Sequence, residues 1–145
     1  MLPEYLSSEG ALDSFLTGFE DGTYPKIQWT HGAHVAMASS YILILAEEEL
    51  LDRTRERIRH YNMCQGGQNT EEAGYHETLT VFWLAVLRNH IDKNCEGLGR
   101  LETVRSAFAE FSSRGGLWRE YYSFDVIQSR EARKIWIAPD LQPMN

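Results

Sequence analysis

Apolar residues recur through this chain with the period of an α-helix and nowhere with the period of a strand. Leu12, Phe15, Leu16 and Phe19 follow the i, i+3, i+4, i+7 spacing that puts side chains on one face of a helix. Leu50, Leu51, Thr54, Ile58 and Tyr61 form a second stripe. Leu79, Thr80, Trp83 and Leu87 form a third, flanked by His76 and His90, and Leu101, Val104, Phe108 and Phe111 a fourth. Breaks separate them at Asp21-Gly22, Met63 to Asn69, Asn94 to Gly99 and Gly115-Gly116, where glycines and short polar residues favour turns. The expected class is all-α, a compact bundle of four to five helices. Residues 1–145 form a single domain, a length that fits one core. The segment after Gly116 is too aromatic and apolar to stay disordered, and it reads as an irregular, partly helical tail with Ser123 and Ser129 capping short turns.

The helix boundaries follow from local chemistry. Ser8 to Glu20 is the first helix, and Lys26 to Trp29 reads as an extended connector. Thr30 is a natural N-cap for a helix from His31 to about Ala46, with His31, His34, Ala38, Tyr41 and Leu45 on one face. A further helical stretch runs from Glu47 to Tyr61. As a single rod with the one before it, the pair would be about 45 Å long, too long for a compact domain of this size, so a turn is expected near Glu47. Its arginines, Arg53, Arg55, Arg57 and Arg59, are interspersed with acids and read as a solvated face. Thr70, followed by Glu71 and Glu72, reads as the cap of the next helix, which runs to about Lys93.

Composition excludes several roles. The formal charge of −7 opposes binding to phosphate backbones and anionic membranes, so no nucleic acid is expected as partner. No apolar run is long enough to span a bilayer, and MLPEYLSSEG has neither the basic nor the apolar region of a signal peptide. The only two cysteines, Cys64 and Cys95, lie far apart without a CxxC pattern and read as reduced thiols in a cytoplasmic protein. Aromatics at 12% point to an aromatic-rich core or pocket.

The histidines are the candidate site. In WTHGAH, His31 and His34 stand three apart where a helix opens. With a turn at Glu47, the start of that helix, the end of the next and the start of the third meet at one end of the bundle. His31, His34, His60 and His76 then gather there. His90 lies about 21 Å further along its helix, where it faces the negative end of the dipole. His60 reads as a surface residue beside its arginines. Two imidazoles from one helix and a third from its neighbour make a facial set for one divalent transition metal ion, zinc or iron, with positions left for water or substrate. In this reading His31, His34 and His76 are the metal ligands, kept neutral by their helix N-termini. Glu77 is the general base, Tyr75 or Thr80 positions the substrate in the catalytic site, Arg133 holds an anionic group of it, and Trp29 contacts it. Single histidines near helix starts also act as caps or bond to core groups. His76-Glu77-Thr-Leu-Thr carries half of an HExxH motif, with Thr80 where the second histidine belongs. Phosphate loops, GxSxG and ferritin-like ExxH pairs are absent.

The segments WTHGAH, GYHETLT (Gly74 to Thr80) and the tail from Tyr121 to Asp140, with Ser129, Glu131, Ala132 and Arg133, resemble a family of small, uncharacterised bacterial helical proteins. The resemblance implies that His31, His34, Tyr75, His76, Thr78, Thr80, Arg133 and Asp140 travel together, and it implies no activity. Arg133 is then either an anion clamp or, as favoured here, a salt-bridge partner of Asp140 that pins the tail to the bundle. Three functional readings follow. One is a small metal-dependent enzyme acting on a small molecule. Another is a non-catalytic module that binds a small ligand or a protein through Trp29, Trp83, Trp118, Tyr121 and Tyr122, its histidines being structural. The third is metal-free acid–base catalysis by His31 or His76. The chain is expected to be a monomer or a homodimer.

Overall fold

The computed structural model describes residues 2–144. Six helices follow one another, with short 3₁₀ turns between them and no strand among the described residues: α1 (Glu9–Asp21), α2 (His31–Ile44), α3 (Glu47–Cys64), α4 (Glu77–Asn94), α5 (Arg100–Phe111) and α6 (Arg130–Lys134). The all-α reading of the apolar stripes therefore holds, with α6 as the helical part of the tail.

Capping explains most of the boundaries. The Ser8 hydroxyl accepts from Ala11 N–H at 3.0 Å, Thr30 from Ala33 N–H at 3.2 Å and Ser129 from Ala132 N–H at 3.1 Å, each satisfying an amide that its helix cannot. α1 ends at Gly22, which adopts φ +79°, a left-handed stop that glycine takes without a Cβ penalty. The turn expected near Glu47 is present. Leu45 and Ala46 are both extended, and Glu47, Glu48 and Glu49 then occupy the positive end of α3.

α2 is the central element, with ten of its fourteen residues buried. That is why its sequence has no clear polar face, and why the one face carrying His31, His34, Ala38, Tyr41 and Leu45 is only part of its contact surface. It packs against α5 on one side and α4 on another. Small residues let those neighbours approach: a Cβ on Gly32 would stand 2.7 Å from Phe108 Cε2.

Three local expectations are corrected. Lys26–Gln28 is a 3₁₀ turn rather than an extended connector. Ser123 caps no helix; its amide and hydroxyl both bond to Asp140. The third long helix starts at Glu77, not at Thr70. Thr70 caps a tight turn instead, its hydroxyl accepting from Glu72 N–H and Ala73 N–H, the local bonding by which threonine competes with a helix. The cap of α4 is the His76 side chain, whose Nδ1 accepts from Leu79 N–H at 3.2 Å.

The tail folds back over α4. Tyr122 donates its hydroxyl to Ile137 O at 2.6 Å, and Thr78 bridges Ile135 O and Ile137 N–H at 2.7 and 3.0 Å. Val126 and Ala132 are fully buried by this return. No helix of the described residues is long and apolar enough to cross a membrane.

Candidate functional site

With the turn before Glu47, the start of α2, the far half of α3 and the start of α4 come to one place. Between them lies a partly open cavity of about 450 Å³, within the range of small-molecule sites. α2 contributes His31, His34 and Ala38; α3 contributes Thr54, Ile58 and Asn62; α4 and its approach contribute Tyr75, His76, Thr80 and Trp83. Trp29, Trp118 and Ile127 complete the wall from the segments around the bundle. The juxtaposition of His31, His34 and His76 expected from the sequence is thus present. His60 lies outside the cavity, exposed on α3 with Cys64 Sγ 3.4 Å from its Nε2. His90 is also elsewhere, bonded to Ser106 Oγ at 2.9 Å.

Each imidazole has its own hydrogen-bond assignment. A backbone carbonyl only accepts, so the nitrogen facing it carries the proton. His76 Nε2 donates to Val126 O at 2.8 Å while its Nδ1 accepts from Leu79 N–H. Both of its ring nitrogens are therefore engaged. His31 Nε2 donates to Phe111 O at 3.1 Å, tying the start of α2 to the last turn of α5. His34 Nδ1 donates to Thr30 O at 2.8 Å, leaving Nε2 at the tip of the ring as an acceptor with no hydrogen bond among the described residues.

Burial lowers the pKa of all three. For His31 and His76, bonds to Phe111 O and Val126 O partly offset it. His34 goes furthest, pushed down to about 4 by burial, with some relief from Thr30 O and a further push from His31. The ring keeps some accessible surface because it borders the cavity, but it lies deep in the fold, beneath the Trp29 ring at 4.1 Å. All three are neutral near pH 7, chiefly through desolvation.

The three-imidazole metal set is not assembled. Among the described residues, no three His, Cys, Asp or Glu side chains are grouped to hold a metal ion, and His76 offers no lone pair while it caps α4. Glu77 is also displaced from the role of cavity base. Arg55 grips it with Nε at 2.9 Å and Nη2 at 2.7 Å, and the Tyr75 hydroxyl donates to it at 2.7 Å. The Arg55 guanidinium holds its carboxyl below the usual range, and burial raises the Tyr75 phenol. This cluster fastens α3 to the first turn of α4. Replacing Glu77 with glutamine should cost about 1–2 kcal/mol in denaturant unfolding, because an amide cannot take both guanidinium bonds as a carboxylate does. Unchanged stability would show that the pairing contributes nothing.

Arg133 is neither an anion clamp nor a partner of Asp140. It donates to Gly74 O at 2.8 Å and Ile127 O at 3.1 Å. Gly74 and Ile127 both border the cavity, so Arg133 does pin the tail, through carbonyls, across the cavity wall. Asp140 instead holds Ser123, whose hydroxyl and amide keep its carboxyl below the usual range. Thr80 borders the cavity but gives its proton to His76 O at 2.8 Å. Trp29 borders it while stacking on Phe19 at 4.7 Å.

Thr54 joins the site although sequence reasoning gives it only a place in an apolar stripe. The residue is 1% exposed and lines the cavity, and its hydroxyl is fully buried with no hydrogen-bond partner among the described residues. The sequence does carry a signal: Thr54 is the one aliphatic hydroxyl within the stripe Leu50, Leu51, Ile58 and Tyr61. An unpaired buried hydroxyl costs about 1–3 kcal/mol; the Ser39 hydroxyl, in the core away from the cavity, is in the same state.

The arrangement defines an all-α protein with an aromatic cavity and a few neutral polar groups in its wall. Compared with known proteins, the chain matches no family model, no curated protein and no solved structure.

Proposed function

We propose that the protein is a small-molecule binding module whose site is the cavity between α2, α3 and α4. The observation that carries this is the partly open cavity of about 450 Å³ walled by Trp29, Trp83, Trp118 and Tyr75, with His34 in its lining and His34 Nε2 free of any hydrogen bond among the described residues. The histidines support the same reading. His31 ties α2 to α5 and His76 ties the start of α4 to the tail, each through a carbonyl, and His34 presents an acceptor. A ring with a pKa near 4 stays neutral at pH 7, so its Nε2 keeps a lone pair and accepts.

No aspartate, glutamate, lysine or arginine is in the described wall, so the module suits neutral molecules; a bare charge there would lack a partner. Small neutral apolar probes, toluene and indole, should raise the melting temperature by several degrees when present well above their dissociation constants. At a hundredfold excess the stabilisation is about 2.7 kcal/mol. Ala38→Phe, which fills the space from α2, should remove the shift while leaving the protein folded. Absence of any shift in the native protein, or an undiminished shift in the filled variant, would place the function elsewhere.

A further inference from the structure

We infer that the ligand of this cavity is a neutral, planar aromatic molecule bearing a hydrogen-bond donor, of the phenol or indole class, with its donor received by His34 Nε2. This rests on the cavity being the binding site and specifies what it selects.

Shape comes from the walls. Trp29, Trp83, Trp118 and Tyr75 border the space, and rings of this kind favour stacked or edge-on contact with another ring. Trp29 is held in place by Phe19 and by Tyr61, whose ring lies 5.0 Å away. Trp83 is held by His31 at 4.7 Å and Phe111 at 5.8 Å. Rings supported from behind make pre-formed walls rather than surfaces that close on a ligand. A cavity of about 150 Å³ already accepts benzene, so about 450 Å³ has room for a fused bicycle.

Polarity comes from the tautomers. Thr30 O fixes the proton of His34 on Nδ1, so Nε2 can only accept while the ring is neutral. A ligand lacking a donor covers that lone pair without meeting it. Thr54 adds a hydroxyl able to donate or accept, already desolvated and without a partner. Such sites discriminate strongly against analogues that lack the matching group, because their own buried polar atoms are then left unpaired.

The test compares isosteres: indole against indene, and phenol against toluene, titrated by calorimetry into the intact protein at pH 7. Indole should bind about tenfold or more tighter than indene, and phenol should similarly exceed toluene. In Thr54→Val, the free protein should melt at a higher temperature, since the unpaired hydroxyl is gone; in His34→Phe, which removes the Nε2 acceptor, the preference for indole over indene should shrink. A ring-nitrogen NMR spectrum of the native protein supplies a second readout that needs no variant: the His34 Nε2 resonance should move on adding indole and stay on adding indene. Equal affinities for indole and indene, or an unmoved Nε2 resonance with indole bound, would overturn the donor requirement while leaving the cavity as the binding site. Failure of all four probes to bind would overturn both.

Discussion

Replacing Gly74 with alanine is expected to destabilise the protein by about 3 kcal/mol and to weaken ligand binding with it. Gly74 adopts φ +87°, a conformation that costs an ordinary L residue about 1–2 kcal/mol. A Cβ there would also stand 2.1 Å from Gln68 O and 3.0 Å from Asn69 Cα. These are backbone atoms, so the clash cannot be relieved by turning a side chain, and overpacking of this kind adds about 1–3 kcal/mol. The helix-propensity gain that often accompanies glycine to alanine is absent, since Gly74 precedes α4. In a chain of 145 residues the loss corresponds to a fall of about 10 °C in melting temperature. Binding should suffer because Gly74 is part of the cavity wall and its carbonyl receives Arg133. Gly66, at φ +84° in the same loop and with no atom within 4 Å of where a Cβ would stand, is the control: Gly66→Ala should lose only the conformational part. Equal losses at the two positions would mean that the contact with Gln68 O plays no part.

Much of the site is legible in the sequence. The period of the apolar residues separates the helices, and the length of the rod they would otherwise form places a turn before Glu47. That turn brings His31 and His34 to the same cavity as His76; a continuous rod would carry the α3 residues away from them. The failures lie one interaction further down. Thr70 followed by two acids looks like a helix start, which makes His76 an inward residue of a helix already under way. A threonine whose hydroxyl bonds to amides two and three residues on has the same local sequence whether a turn or a helix follows. Once α4 starts at Glu77, His76 becomes its cap, and the metal set loses its third ligand. Glu77 is illegible for a different reason. Its partner Arg55 is 22 residues away on another helix, and the arginine-rich face of α3 gives no local sign that one guanidinium turns inward. Arg133 shows the same limit: the pinning role follows from its place in the tail, but carbonyl acceptors leave no mark in side-chain chemistry.

Acidification from pH 7 to pH 4 is expected to remove about 3 kcal/mol of stability through His34 alone. Its pKa in the folded protein is about 4 against an ordinary 6.5, so the unfolded chain binds the proton more readily. Stability is then fully present above pH 6.5 and declines as the pH falls toward 4, where the folded form also begins to take up the proton. Below that the difference stays constant. His31 and His76, also lowered by burial, act in the same direction. The groups that face His34 in the wall give no compensation. The titratable ones are His31, His76 and Tyr75, and none is an anion at these pH values, since burial raises the Tyr75 phenol. Glu77 and Asp140, both lowered, also lose stability on protonation, but only as the pH falls through the carboxylate range, so the histidine window between pH 6.5 and about 5 is separable from theirs. The measurement is denaturant unfolding across that window for the native protein and for His34→Gln, whose difference should grow steadily toward acid. Indole affinity supplies the functional counterpart. It should be flat from pH 8 to about 5 and fall near pH 4, because protonation converts the Nε2 acceptor into a second donor facing the donor of the ligand. An imidazole of His34 that titrates near 6.5 by NMR in the free protein would place it in contact with bulk water, and the cavity it borders would then be a wet cleft rather than a site built for an apolar ring.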